Sequence, residues 1–174
     1  MPLSRHIFLC GFMASGKSTV GPRLARALSV PFRDTDAMLE ERAGMSIPSL
    51  YALKGEAFFR EMEHSLLLEL PALSPCVIAT GGGLPVYPPN VPLLRAAGTV
   101  IFLDRDWKSI WLSLSQRRGR PMSSGKSQAE MLALYEKRLP LYRACAELTV
   151  PNNGTPAACV RRILSILCLD QAPA

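Results

Sequence analysis

Residues 11–18 of this 174-residue chain read GFMASGKS, which meets the pattern GxxxxGK[ST] through Gly11, Gly16, Lys17 and Ser18. In such a loop the glycines admit backbone conformations whose amides point at phosphate oxygens, and the next helix adds its positive N-terminal end. The lysine can reach the β- and γ-phosphates, and the serine hydroxyl can ligate Mg²⁺. The alternative is a glycine-rich turn with an incidental lysine. We therefore predict a phosphate-binding loop for a nucleoside triphosphate, provided that a strand precedes it and a helix follows.

Both flanks meet that condition. An apolar run at 7–10 precedes the loop, and Val20, Leu24 and Leu28 recur every four residues after it, as on one face of a helix. Further strands are predicted to end near Asp34 and to cover 76–79, 100–103 and 148–150, with helices around the Phe58/Met62/Leu66/Leu70 stripe, over 129–139 and after Thr155-Pro156. Strands that alternate with helices predict a parallel sheet covered on both faces, in a single domain over 1–174.

Composition limits the class of protein without naming it. The chain is 48% hydrophobic and 20% charged, as in globular proteins, and no apolar run approaches the roughly 20 residues that span a bilayer. A net charge of +6 suits nucleic acid and small anionic substrates equally. The cysteines, odd in number and without CxxC spacing, predict buried thiols in the cytoplasm: Cys10, Cys76, Cys145, Cys159 and Cys168. His6 and His64 have no metal-ligand spacing and are predicted to be structural.

Acidic and basic side chains cluster after the predicted strands. Asp34 and Asp36 follow one strand, where one carboxylate can support hydrated Mg²⁺ and the other can accept a hydrogen bond from an attacking hydroxyl. A solvated helix N-terminus explains the same two acids. Arg60 and Glu63 are expected to lie away from the apolar stripe of their helix, either as a surface ion pair or as a guanidinium that Glu63 orients toward a carboxylate.

Two glycine-containing segments complete the pattern. Gly81-Gly82-Gly83 directly after a strand indicates close approach by a ligand, or else a flexible turn. Arg117, Arg118 and Arg120 accompany Gly119, a composition expected of a closing lid and also of a basic solvated loop or a nucleic-acid patch. Arg138 is predicted near the C-terminal end of its helix, where a cation is ordinarily favourable.

In order along the chain, these segments resemble shikimate kinases, and the resemblance spans about Ile7 to Leu167. It rests on GFMASGKST at 11–19, DTD at 34–36, FFREME at 58–63, GGG at 81–83, Arg120-Pro121 and KRLPLY at 137–142. The resemblance implies a P-loop NTPase of the nucleoside-monophosphate-kinase-like fold, three-layer α/β/α, with a five-stranded parallel sheet and a mobile lid at about 117–128. It implies ATP-dependent phosphorylation of the 3-hydroxyl of shikimate, on the route to chorismate and the aromatic amino acids.

Carried over by position, the resemblance also implies residue roles. Lys17, Asp36 and Arg120 would be catalytic, and Ser18 and Asp34 would hold Mg²⁺. ATP would contact Gly11, Ala14, Ser15, Gly16, Lys17, Ser18, Thr19 and Arg120. Shikimate would contact Asp36, Arg60, Gly82, Gly83 and Arg138, within a substrate-binding region at about 34–63. The implied partners are ATP and shikimate only, with no nucleic acid or membrane, and the chain would be a cytoplasmic monomer.

Three positions depart from the resemblance. Ala14 stands where many relatives have glycine, Ser113 stands roughly where an arginine often faces adenine, and 152–155 lacks an arginine present in some relatives. They leave the adenine contacts unassigned. A gluconate-type or nucleotide kinase of the same fold, a catalytically inactive nucleotide-binding regulator and a basic nucleic-acid binder remain as alternatives.

Overall fold

A computed structural model describes residues 3–116 and 125–167. Five strands alternate with seven α-helices in this part of the chain. Their order is β1 (His6–Cys10), α1 (Lys17–Ala27), β2 (Phe32–Asp34), α2 (Thr35–Ala43), α3 (Ile47–Glu69), β3 (Val77–Ala79), α4 (Val91–Ala97), β4 (Gly98–Asp104), α5 (Trp107–Ser115), α6 (Gln128–Cys145), β5 (Leu148–Pro151) and α7 (Pro156–Ile166). Short 3₁₀ turns at 70–72, 84–86 and 88–90 join some of them. Each strand predicted from an apolar run is present within about two residues of its expected bounds.

The strands form one parallel sheet in the order β2-β3-β1-β4-β5. β1 is central: Phe8 is paired with Ile78 of β3 on one side and with Val100 of β4 on the other. After β1 the chain builds the β2/β3 side of the sheet first and then crosses to the β4/β5 side. Ligands of open α/β sheets bind beyond the carboxyl ends of the strands at such a change of direction, which here lies beside the loop that follows β1.

Apolar side chains cover both faces of the sheet and so make three layers. Successive side chains of a strand point to opposite faces, and β1 is buried along its whole length. Phe8 and Cys10 pack into a core with α3 and α6, whereas Ile7 and Leu9 pack into a second core with α1 and α7. The predicted α/β/α architecture with a five-stranded parallel sheet is confirmed.

The buried face of α3 matches the predicted stripe only in part. Leu66 is buried, as is Leu70 directly after the helix, but Phe58 is 40% exposed. The other buried side chains of α3 are Leu50, Phe59, Glu63 and Leu67. The helix is also broken at Gly55, whose φ of 79° no helical residue adopts. Glu63 is 1% exposed, so the surface ion pair, one of the two alternatives for Arg60 and Glu63, is wrong.

Helix α6 extends past its predicted end. Ser127 caps its N-terminus: the Ser127 hydroxyl oxygen accepts from the Glu130 N–H, and the Glu130 carboxylate accepts from the Ser127 N–H. This capping box satisfies two backbone amides at the start of the helix. The helix continues through Pro140 and buries Tyr142 and Cys145 one turn later. Arg138 therefore lies inside the helix, and its interpretation as a helix C-terminal cation is wrong.

The described cysteines are buried, as predicted. Cys10, Cys76, Cys145 and Cys159 are free and buried, and burial raises the pKa of each thiol, which disfavours nucleophilic thiolates. Cys168 lies outside the described residues. Within 3–116 and 125–167, none of the helices combines the length and the apolarity needed to cross a bilayer.

Candidate active site

Three segments meet at the carboxyl edge of the sheet. The phosphate-binding loop follows β1, and residues 81–83 follow β3. Asp34 is the last residue of β2, and Asp36 lies in the first turn of α2. Because β3 lies between β2 and β1, the glycine segment is placed between the acids and the loop. The topology thus brings together motifs that are up to 70 residues apart in the chain.

The loop at 11–16 borders a cavity at this edge of the sheet. Gly11 and Gly16 have φ of 146° and 103°, values that side chains other than glycine's rarely permit. Lys17 Nζ donates to the carbonyls of Gly11 (2.8 Å) and Phe12 (3.0 Å), so the ammonium lies against the loop. A cavity of about 230 Å³ adjoins it, lined by Met13, Ala14, Gly16, Lys17, Ser18, Thr19, Asp34, Asp36, Thr80 and Gly82. The predicted nucleotide-binding residues Ala14, Gly16, Lys17, Ser18 and Thr19 all face this one cavity.

Ala14 occupies a left-handed backbone conformation with φ 60°. Its carbonyl accepts a bond of 2.7 Å from Arg105 Nη1, which fixes the loop in that conformation. Left-handed geometry costs an L-residue with a Cβ roughly 1–2 kcal/mol, and glycine avoids the cost. The departure at Ala14 therefore leaves the loop intact but places strain in it.

We expect Ala14→Gly to raise the free energy of unfolding by about 1 kcal/mol. Glycine relieves the left-handed strain at position 14, and this relief outweighs the greater conformational entropy of glycine in the unfolded chain. Urea unfolding followed by circular dichroism measures it. Ser29→Gly is the matched control, because Ser29 has φ 54° and is not part of the phosphate loop. A lower unfolding midpoint for Ala14→Gly alone would show that the methyl group of Ala14 makes contacts worth more than the strain.

Asp34 and Asp36 have different surroundings. Asp34 Oδ1 accepts from the Asp36 N–H at 3.0 Å and caps α2, so the helix-terminus interpretation is correct for Asp34, which also lines the phosphate cavity. Burial first, and then the nearby charges of Asp34 and Glu40, raise the pKa of Asp36 to about 6, while Lys17 opposes them. A carboxyl with that pKa can accept a proton near neutral pH.

Each residue of the glycine segment has its own contact. The Gly81 N–H donates to the buried Thr35 Oγ1 at 2.8 Å, and a Cβ at Gly81 would collide with Asp36 Oδ1. The Gly82 carbonyl accepts from Tyr142 Oη at 2.7 Å, and burial raises the pKa of Tyr142 to about 12, which keeps its proton available for this bond. The segment is thus a fixed surface made of backbone and not a flexible turn.

A second cavity, of about 170 Å³, lies beyond this surface. It is lined by Asp36, Ile47, Tyr51, Phe59, Arg60, Glu63, Gly81, Gly82, Gly83 and Arg138. Asp36 and Gly82 line both cavities and so stand at their boundary. The two guanidinium groups, Arg60 and Arg138, make the second cavity suitable for an anion such as a carboxylate.

Arg60 is held by carboxylates on its own helix. Its Nη1 donates to Glu63 Oε2 at 2.6 Å and its Nη2 to Glu56 Oε1 at 3.0 Å. Because Glu63 is 1% and the Arg60 side chain 15% exposed, this is a largely buried pair. Gly83 leaves room for the guanidinium, since a Cβ there would approach Nη1 to 2.7 Å. Of the two alternatives, the structure supports the positioned guanidinium.

A wider open groove of about 810 Å³ lies on the other side of Arg60, between α3 and the turn that carries Val86 and Tyr87. It shares Arg60 and Gly83 with the 170 Å³ cavity but includes no residue of the phosphate loop. The chemistry therefore belongs to the two smaller cavities, where the loop, the raised-pKa carboxyl and the arginines converge.

Several residues that shape the site were not predicted from the sequence. Five of them were not among the predicted site residues: Thr35, Gly81, Tyr142, Arg105 and Asn152. Thr35, Gly81 and Tyr142 lay in motifs that were recognised, and Arg105 and Asn152 did not. The predicted lid arginines Arg117, Arg118 and Arg120 lie outside the described residues. Ser15 is 1% exposed and lies within the phosphate loop.

The histidines make structural contacts. His6 is buried between the Leu70 carbonyl (2.8 Å) and the Cys76 N–H (3.2 Å), and His64 approaches Asn90 Oδ1 at 3.3 Å. Over the described ranges, no group of three or more His, Cys, Asp or Glu side chains could hold a metal ion. A magnesium ion that travels with a nucleotide needs only one or two protein oxygens besides phosphate and water. Ser18 and Asp34, which line one cavity, fit that requirement.

Comparison with known proteins gives one consistent result. A family model described as shikimate kinase matches residues 13–168. The shikimate kinase of Burkholderia pseudomallei (strain 1710b) is 39% identical over 153 residues, which cover 87% of this chain and 83% of that protein. That of Pseudomonas entomophila (strain L48) is 39% identical over 171 residues, with 97% and 98% covered. The structure of shikimate kinase from Acinetobacter baumannii in complex with shikimate superposes with a TM-score of 0.86 at 31% identity, over 99% of this chain and 97% of that one. The chain belongs to the shikimate kinase family.

Proposed function

We infer that the loop cavity holds the phosphates of ATP and the 170 Å³ cavity holds shikimate, so that the γ-phosphoryl group crosses the boundary between them. The enzyme is a kinase of the shikimate kinase family and uses ATP. The observation that carries the assignment is that Asp36 and Gly82 line both cavities. A hydroxyl held against Asp36 is then next to the space for the terminal phosphate.

The reaction requires positioning and charge stabilisation more than covalent chemistry. The 3-hydroxyl oxygen of shikimate forms the new bond to the γ-phosphorus, the bond from phosphorus to the β,γ-bridging oxygen breaks, and ADP leaves. The hydroxyl proton passes to Asp36, whose raised pKa suits it to accept that proton. Lys17 stabilises negative charge on the transferred group. Loop amides, Gly16 among them, bind the β-phosphate.

The arginines of the acceptor cavity select the substrate. Arg60 and Arg138 both line it, and a planar guanidinium matches a carboxylate with two parallel hydrogen bonds. Glu63 fixes the orientation of Arg60, and Gly82 and Gly83 offer backbone where a side chain would fill the cavity. We assign the shikimate carboxylate to the two arginines and its hydroxyls to Asp36 and the glycine segment.

Mg²⁺ would be held by Ser18, with Asp34 assisting through water. When bound, it would neutralise charge on the β- and γ-phosphates. Arg120 in a lid at about 117–128 remains a proposal, as do a single domain over 1–174, a monomeric state and a cytoplasmic location. The carboxylate of gluconate and the phosphate of a nucleoside monophosphate also pair with arginine, so these two acceptors are compared with shikimate directly.

A coupled assay tests the assignment directly. ADP release with ATP, Mg²⁺ and shikimate should be fast, and gluconate or a nucleoside monophosphate should give none. Transfer to either of those acceptors with none to shikimate would overturn the proposed function. ATP binding without transfer to any acceptor would favour the inactive regulator. Retention of duplex DNA at moderate salt would favour the nucleic-acid binder.

Lys17→Ala is expected to lower kcat by about 100-fold with any acceptor, because it removes one preorganised charge from the phosphate cavity. The coupled assay at saturating ATP and shikimate measures it. Arg26→Ala, near the end of α1, removes a cation from the same helix and is the control that should leave kcat unchanged. Equal kcat in Lys17→Ala and wild type would remove Lys17 from the mechanism.

A further inference from the structure

The loop after β5 contacts the phosphate-binding loop through the buried side-chain amide of Asn152. Asn152 is 7% exposed, and its Nδ2 donates to the Ser15 carbonyl at 2.7 Å. Its own backbone N–H donates to the Asp104 carbonyl at 2.8 Å, which continues the β4–β5 pairing beyond the strand ends. The side chain is therefore held by the sheet itself and not by a free loop.

The hydrogen bond from Asn152 to the Ser15 carbonyl also orients the next backbone amide, that of Gly16. A trans peptide is planar, with its C=O and N–H directed to opposite sides. Since the Ser15 carbonyl is directed to Asn152, the Gly16 N–H is directed away from it. Gly16 itself lines the phosphate cavity. Asn152 thus fixes the direction of a phosphate-binding amide without lying in the cavity.

Asn152 also packs tightly against the phosphate-binding loop at Gly16. At φ 103°, a Cβ on Gly16 would overlap the Asn152 amide nitrogen. Arg105 ties the preceding carbonyl, that of Ala14, at 2.7 Å. Two consecutive loop carbonyls are therefore held by side chains from the carboxyl ends of β4 and β5, on the far side of the loop from Asp36.

We propose that Asn152 is a positioning residue for the nucleotide: its side-chain amide orients the Ser15–Gly16 peptide so that the Gly16 N–H points at the β-phosphate of ATP. The proposal rests on the assignment of the loop cavity to the nucleotide. It predicts that loss of this one donor weakens nucleotide binding and leaves the acceptor cavity unaffected.

Asn152→Asp is the sharpest test, because a carboxylate of nearly equal shape replaces the donor by an acceptor facing the Ser15 carbonyl. We expect the Kd of ADP, measured by calorimetry, and the KM of ATP to rise about tenfold or more, the loss of about one good hydrogen bond. The KM of shikimate should stay within about twofold of wild type, since no Asn152 contact reaches the acceptor cavity.

Asn153→Asp is the matched control. It adds the same charge one residue further on, but Asn153 Oδ1 accepts from the Asp106 N–H at 3.0 Å, and a carboxylate oxygen can accept as well. Its ADP affinity should stay within about twofold of wild type. Equal weakening in both variants would assign the effect to charge alone and overturn the proposal, as would wild-type ADP affinity in Asn152→Asp.

Asn152→Ala removes the donor without adding a charge, and it serves as the test if Asn152→Asp does not fold. Its ADP Kd should also rise while its shikimate KM does not. A purely structural role would lower the unfolding midpoint and weaken both ligands together, which would contradict the proposal. ADP binding is measured without an acceptor, so failure of the shikimate assignment would appear separately, as a wild-type enzyme that does not phosphorylate shikimate.

Discussion

Asp36→Asn should lower kcat by about 1,000-fold and, at the same time, make the folded protein more stable at neutral pH. The fall in kcat follows from removing the carboxylate that accepts the hydroxyl proton. General-base catalysis contributes roughly 10²–10⁴-fold to the rate. Asparagine keeps the shape of the side chain but cannot take the proton. The coupled assay at saturating substrates measures the loss.

The gain in stability follows from the pKa of the same group. Burial raises the pKa of Asp36 from 3.8 to about 6, so the folded state binds this proton more tightly than the unfolded chain does. Ionisation of Asp36 therefore lowers the free energy of unfolding as the pH rises from about 4 to about 6. Asparagine avoids that cost, and we expect Asp36→Asn to be about 3 kcal/mol more stable at pH 7.5, since each unit of pKa shift is worth about 1.4 kcal/mol. The advantage should disappear below about pH 4, where aspartate is protonated in both states.

Glu40→Gln is the companion variant. The charge of Glu40 contributes to the raised pKa of Asp36, and a glutamine oxygen can still accept from the Ile47 N–H. The wild-type kcat/KM should fall below about pH 6 as Asp36 takes up a proton, and Glu40→Gln should move that fall to lower pH without a large loss of kcat. An Asp36→Asn enzyme that retains a tenth of wild-type kcat would exclude Asp36 as the proton acceptor.

Local pattern was enough to predict most of the fold. The strands were found because buried parallel strands are short, continuous apolar runs, and the phosphate loop was found because its conformation needs specific residue types at fixed spacing. The buried face of α3 was predicted correctly at Leu66 and Leu70 and wrongly at Phe58, because Phe58 and Phe59 each begin an apolar series. The true series includes Glu63, a charge that periodicity assigns to solvent and that is buried only because Arg60 pairs with it.

The parts of the site that escaped prediction are side-chain contacts with distant backbone. Tyr142 reaches the Gly82 carbonyl across 60 residues, and Asn152 reaches the Ser15 carbonyl across 137. Every residue has a carbonyl, so the acceptor carries no signal in the sequence, and the donor is one polar side chain among many. Such contacts become visible only when the strand order places the donor beside its acceptor.

Arg60→Ala should reduce kcat/KM for shikimate by about 1,000-fold and lower the free energy of unfolding by about 3 kcal/mol. The first effect is the loss of a carboxylate partner in the acceptor cavity, and the second arises because Glu63, 1% exposed, keeps its charge without the guanidinium. The KM of ATP should change little. Because burial already raises the pKa of Glu63, loss of Arg60 should raise it further, so the stability deficit should shrink as pH falls and Glu63 protonates.

Two further variants separate the two effects of Arg60. Arg60→Ala combined with Glu63→Gln removes the unpaired charge, so it should recover a large part of the lost stability while shikimate binding stays as weak as in the single variant. Arg60→Lys keeps a charge for Glu63 but loses the planar pair of donors, so it should fold nearly normally and bind shikimate about tenfold more weakly. Urea unfolding and initial rates at varied shikimate give both quantities for each enzyme. If Arg60→Ala left the KM of shikimate at its wild-type value, Arg60 would serve only to neutralise Glu63, and Arg138 alone would have to bind the carboxylate.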